Sequence, residues 1–133
     1  MIALDDCVLA WLRGLCDLPV GYCEFPADQD CYEFDPSPTQ ETVYQYRAGG
    51  GMFGYAYELY LRVRPRDAAD RMDAARRLSE VAQAVTGRSF PEAPDGCVWS
   101  DHQLTERPGL HAAYDDGREE LRLVARITYI ERS

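Results

Sequence analysis

Lysine is absent from this chain, and all 14 basic residues are arginine. Arginine is multidentate, permanently charged and suited to interfaces. A complete lack of lysine also fits the codon bias of a GC-rich genome, and that is the reading favoured here. One class of site is removed outright, because a phosphate loop of the Gly-x-x-x-x-Gly-Lys type has no lysine to use. Basic charge is scarce overall: 23 acidic residues leave a formal net charge of −9. That balance argues against a protein that grips nucleic acid through a general basic surface and leaves only local basic patches. Histidine is limited to His102 and His111. Neither has a nucleophile partner in a recognisable motif, and Asp101, next to His102 on a strand, would point to the opposite face. Both histidines are therefore expected at the surface or between subunits. No Cys-x-x-Cys pair occurs among Cys7, Cys16, Cys23, Cys31 and Cys97. Zinc held by Cys16, Cys23, Cys31 and a histidine would match no common spacing, and no neighbour marks any thiol as a nucleophile. Reduced thiols in a cytoplasmic chain are expected. Long apolar runs are missing too. The N-terminal one ends by Leu15 and carries Asp5 and Asp6 where a secretory signal would be basic, so neither a signal peptide nor a membrane span is expected. Asp28, Asp30 and Asp35 lack the Asp-x-Asp-x-Asp-Gly order of a calcium loop. No catalytic residue, metal or cofactor is expected, and the chain does not read as an enzyme.

What is present suits one α+β domain spanning residues 1–133, long enough to bury a core without staples. No repeat, low-complexity tract or linker divides it. Leu4, Val8, Trp11, Leu12 and Leu15 recur at helical spacing, which predicts a short helix from about Asp5 to Arg13 stopped by Gly14. Between Leu18 and Gln40, Pro19, Pro26, Pro36 and Pro38 favour irregular chain, with a strand near Cys31 to Phe34. Val43 to Arg47 is a short aromatic strand interrupted by Gly49, Gly50 and Gly51. Tyr55 to Arg64 then sets Tyr55, Tyr57, Leu59, Leu61 and Val63 at period two, a half-buried strand returning from a hairpin. Pro65 ends that strand, and Asp67 can cap a helix with Asp70 in its first turn. Along this helix Ala68, Met72, Ala75, Leu78, Ala82 and Val85 are predicted to face the core. Asp73 and Arg77 would pair on the surface, and Gly87 would end the helix. Arg88 to Gly96 reads as a loop, Cys97 to Leu104 as a strand, and Pro108 and Gly109 as a break before Leu110 to Tyr114. After a turn at Asp115, Asp116 and Gly117, the last strand puts Leu121, Leu123, Ala125, Ile127 and Tyr129 on one face. The implied architecture is a mainly antiparallel sheet with one long helix packed on one face and a short N-terminal helix.

Gly49, Gly50, Gly51 and Gly54 could cradle an anion, but a strand follows them rather than a helix, which favours a flexible hairpin tip. Consecutive glycines carry the largest ordering entropy, so Gly49 to Gly54 is expected to be mobile in the isolated subunit and to order on assembly. Tyr44, Tyr46, Phe53, Tyr55, Tyr57 and Tyr60, interleaved with Arg47, Arg62 and Arg64, have the composition of a single-strand nucleic-acid platform. Period two, however, sends half of these tyrosines inward. Tyr60, Arg62 and Arg64, left on the outward face, suit a protein interface at least as well. The outward strand positions Tyr60, Arg62, Arg64, Arg122, Val124 and Ile130 are neither fully polar nor fully apolar, which fits assembly. The candidate assembly interface is therefore Gly49, Gly50, Gly51, Phe53, Tyr60, Arg62 and Arg64. A small nucleic-acid- or ligand-binding module is the competing class.

The turn from Tyr46 to Gly51, the strand from Tyr55 to Arg64, the helix from Ala68, and the segment Tyr114 to Ile130 around Asp116 and Gly117 together resemble a known family. It is that of the small minor-capsid and tail-terminator proteins encoded in the head-to-tail region of long-tailed phages and prophages. The resemblance is one of pattern, strongest after Thr42, and it does not extend to the segment Cys16 to Cys31. It implies a structural virion protein, made in the bacterial cytoplasm, that works as a ring, commonly a hexamer, capping the tail tube and joining it to the connector. The partners implied are further copies of the chain and the tail-tube and head-connector proteins. No cofactor, reaction, membrane or tight nucleic-acid binding is implied.

Overall fold

The computed structural model describes residues 2–26 and 28–132. Among the described residues, two helices and six strands follow in the order α1 (Ile2–Leu15), β1 (Val20–Tyr22), β2 (Cys31–Pro36), β3 (Glu41–Gln45), β4 (Gly51–Val63), α2 (Ala68–Thr86), β5 (Cys97–Ala113) and β6 (Glu119–Glu131). All the strands join one sheet ordered β1-β2-β4-β6-β5, with β3 also paired to β4. The fold is α+β, as the sequence implies. Its sheet is mixed, because β1 runs parallel to β2 while every other pair is antiparallel.

β4 organises the molecule. Along one side it pairs with β6 over its whole length, from Gly51 opposite Glu131 to Val63 opposite Glu119. Its other side is shared: β2 takes Tyr57 to Arg62, and β3 takes Gly51 to Gly54. Period two puts Tyr55, Tyr57, Leu59, Leu61 and Val63 on one face, where they are buried with Leu123, Ala125, Ile127 and Tyr129 of β6 and Tyr32 and Phe34 of β2. Leu4, Val8, Leu9 and Leu12 of α1 complete the core with Ala74, Leu78, Val81, Ala82 and Val85 of α2.

Several boundaries differ from the sequence reading, each for a physical reason. The first helix passes through Gly14 to Leu15, and the Cys16 N–H still reaches the Leu12 carbonyl at 2.8 Å. Burial of Leu12 outweighs the roughly 1 kcal/mol that a helical glycine costs. Strand β1, within the proline-rich stretch, was not foreseen; three residues are too few to show a period. β4 begins at Gly51 rather than Tyr55. β5 runs unbroken past Pro108 and Gly109, because it is an edge strand and its register shifts between Glu106 and Gly109 absorb the missing donor.

α2 is capped as expected: the Asp67 carboxylate accepts from the Asp70 N–H at 3.0 Å, and Gly87 closes the other end. Its buried stripe is rotated from the predicted one. Met72 is 68% exposed and Ala75 is exposed, while Ala74 and Val81 are buried. At 3.6 residues per turn Met72 lies about 120° around the helix from Leu78. The larger side chains Leu78, Val81 and Val85 therefore set the orientation. Arg77 reaches Asp17 at 3.1 Å instead of Asp73, which pairs with Arg76 at 2.8 Å. His102 is 2% exposed, against the expectation of a surface histidine, while His111 is exposed.

Candidate assembly surface

The structure divides the candidate residues between the two ends of β4, a strand of 13 residues that spans about 40 Å at 3.2–3.4 Å per residue. At the β3 end, Gly49 and Gly50 have φ of +96° and +74°, and the turn is closed by the Tyr46 N–H donating to the Gly50 carbonyl at 3.1 Å. Only glycine adopts both conformations freely. Gly51 and Gly54 are not part of a loose tip. Both are buried in β4 between β3 and β6. Phe53 turns to the core side, its ring 5.7 Å from that of Tyr129. A Cβ at Gly54 would sit 2.7 Å from Nε of Arg126, whose guanidinium crosses over it to reach Glu41 at 3.1 Å. This pair ties β3 to β6 across β4.

What the hairpin exposes is aromatic. Every residue of β3 is exposed, Tyr44 to 60%, and the rings of Tyr44 and Tyr46 stand 5.2 Å apart. Both tyrosines were visible in the sequence, but only the pairing pattern shows that no second layer covers them. Val43 bulges out at the register shift between Thr42 and Tyr44.

At the other end, the outward face of the sheet is a network of charge. The Tyr60 hydroxyl donates to Glu58 at 2.6 Å, and Arg122 reaches Glu106 at 2.8 Å and Glu58 at 3.8 Å. Burial, then the hydrogen bond to Glu58, pushes the Tyr60 hydroxyl up to about 12. The Tyr60 ring also lies 5.3 Å from that of His111. Arg62 sets its guanidinium 4.4 Å above the Phe25 ring. Arg64 lies beyond the end of β4, where its N–H donates to Asp30 at 3.2 Å and its side chain is 3.9 Å from Asp116. Arg62 and Arg64 line one cleft of about 470 Å³ with Asp28, Asp30 and Arg118. So Tyr60, Arg62 and Arg64 form one group, and the glycines and Phe53 another.

A second concavity, of about 530 Å³, opens between α2 and β5 and was not foreseen. Val63, Ala74 and Leu121 are its most buried lining residues, with Ala75, Pro108 and Gly109 above them. Leu110, 63% exposed, forms one wall, and Arg71, Ser79, Arg107 and Glu119 form the rim. The signal was split between a helix and a strand far apart in sequence.

Burial raises the thiols of Cys7, Cys16, Cys23 and Cys97, that of Cys16 to about 12, which keeps them protonated and poorly nucleophilic. Among the described residues no cluster of histidine, cysteine and carboxylate side chains could hold a metal ion, and no helix is long and apolar enough to cross a membrane.

No family model and no curated protein matches the chain. Among solved structures, a chain described as "Virion of native gene transfer agent (GTA) particle" is similar at 16% sequence identity and a TM-score of 0.59, covering 94% of this chain and 85% of that one. The likeness therefore runs through nearly the whole of both chains and is one of fold.

Proposed function

We propose that this chain is a structural protein of a phage-type virion, acting at the head–tail junction or the tail end as a ring that caps the tail tube and joins it to the connector. The observation that carries this reading is the fold shared along 94% of the chain with a chain of a gene transfer agent virion. The surface supports it: aromatic and apolar patches at two places need partners, while the thiols of Cys7, Cys16, Cys23 and Cys97 are held protonated and His102 is walled into the core. Such a ring would bind its own copies and the tail-tube and head-connector proteins without any reaction. With a net charge of −9 it would let DNA slide, since a lumen lined with arginine would gain affinity with every phosphate it neutralised.

Sedimentation of the chain under reducing conditions, at rising concentration and with tail-tube protein added, tests the reading. A closed ring with weak duplex-DNA binding at low and physiological salt is expected. A monomer under every condition that binds duplex DNA tightly would overturn it in favour of a nucleic-acid-binding module.

A further inference from the structure

We infer that the aromatic tip of the β3–β4 hairpin of one copy seats in the apolar groove between α2 and β5 of the next, so that copies join head to tail. This rests on the ring reading and names its contact. The two surfaces lie at opposite ends of β4: the hairpin turn precedes Gly51, and Val63, the last residue of β4, is in the groove floor. Separated by about 40 Å of rigid strand, they cannot meet within one chain. They can meet between two.

Their chemistry is complementary. The hairpin offers Tyr44 and Tyr46, whose rings are apolar and whose hydroxyls need a polar neighbour. The groove has an apolar floor and a rim bearing Ser79 and Arg107 to meet those hydroxyls and ring faces. Most arginines here are held by carboxylates, yet Arg47 at the hairpin and Arg107 at the groove have no ion pair among the described residues. Asp115, in the turn that joins β5 to β6 beyond the groove, also has none. Arg47 of one copy and Asp115 of the next form the matching pair. The four register shifts of β5 make its edge a poor template for strand addition, which leaves side-chain seating as the mode of contact.

Size sets the assembly behaviour. Aromatic side chains bury about 150–250 Å² each, so the hairpin inserts a few hundred Å², well below the about 800 Å² per partner of a stable pair. One contact will not hold a dimer. Closing a ring gives each copy two contacts, one through its hairpin and one through its groove, so monomer and ring should interconvert with little dimer between.

Sedimentation velocity of the full chain under reducing conditions, across a concentration series, tests this with Tyr44→Ser/Tyr46→Ser and with Leu110→Ser. All three positions are exposed, and thermal melting checks that each variant folds. Each variant should raise the concentration for half-assembly by more than about tenfold. An equimolar mixture of the two should form no ring, having one intact contact per pair. Arg47→Asp should weaken assembly, and adding Asp115→Arg in the same chain should restore it. If the wild type forms rings and the variants form them at the same concentration, or the charge reversal restores nothing, this seating is overturned while the ring reading stands. If Leu110→Ser disturbs only binding of added tail-tube protein, the occupant is not a second copy and the inference fails. A wild-type chain that stays monomeric overturns the ring reading and this contact together.

Discussion

The hydroxyl of Tyr57 and Nε2 of His102 lie 2.8 Å apart inside the core. Nδ1 of the same ring is 2.9 Å from the Ser89 carbonyl, which can only accept, so Nδ1 carries the proton and Nε2 accepts from the tyrosine. Acceptance at Nε2 requires a neutral imidazole, whereas the Nδ1 bond does not. Trp11 and Phe90 flank the ring, with centroids 5.3 and 5.8 Å away, and burial holds its pKa below the ordinary 6.5. One histidine thus links β4, β5 and the segment after α2.

The pH dependence follows from that depression. The unfolded chain takes up the proton first, so the stabilisation is complete above about pH 6.5 and is lost as the pH falls toward the lower native value. Chemical denaturation at steps from pH 7.5 to 5 should show the parent losing stability on acidification relative to a variant without the histidine. His102→Gln, which does not titrate, is that variant, and it should lack the acid-side loss that His102 contributes.

Glu33 should act with the opposite sign. Burial, then a hydrogen bond with Asp35, raises its carboxyl to about 7, so it is protonated in the native state where the unfolded chain would be ionised. Its contribution is complete below the unfolded value of 4.5 and lost as the pH rises through about 7. Glu33→Gln should therefore steepen the acid-side decline caused by His102. The same titration series, run on the single and double variants, separates the two groups.

Leu61 and Met72 should respond in opposite ways to a carboxylate. Leu61 has no exposed surface, and aspartate there would cost several kcal/mol, comparable with the whole stability of a small domain. Leu61→Asp should leave no cooperative melt. Met72→Asp should stay within about 0.5 kcal/mol of the parent in urea denaturation.

Hydrogen exchange should divide the glycine-rich segment at Gly51. The amides from Gly51 to Gly54 lie in a strand paired on both sides and should be protected, whereas those of Ala48 to Gly50 should exchange rapidly. Uniformly fast exchange from Gly49 to Gly54 in the isolated subunit would show the strand beginning later, as composition alone suggests.

The period-two strands and the caps were legible in the sequence because they are local. Tyr55 to Val63 and Leu123 to Tyr129 alternate strictly and bury the faces that alternation assigns, and Asp67 and Gly87 bound α2 through contacts within one turn. The hairpin boundary was not legible, since Gly51 and Gly54 resemble a loop until partners on both sides satisfy their amides. Of the candidate surface, the sequence identified the residue types and an outward Tyr60 and Arg62. It could not separate the two ends of β4, and it missed the groove, because Leu110 and Ala75 lie 35 positions apart.

Local chemistry, then, was settled by the amino-acid order itself: which residues alternate, which cap, and that the chain carries a large acidic excess. Tertiary structure decided which face of α2 is buried, since alanines around the helix leave its orientation to the packing of Leu78, Val81 and Val85. It likewise decided that His102 goes inside, because a polar ring is buried only where a donor and an acceptor from elsewhere in the chain, Tyr57 and Ser89, converge to satisfy both nitrogens.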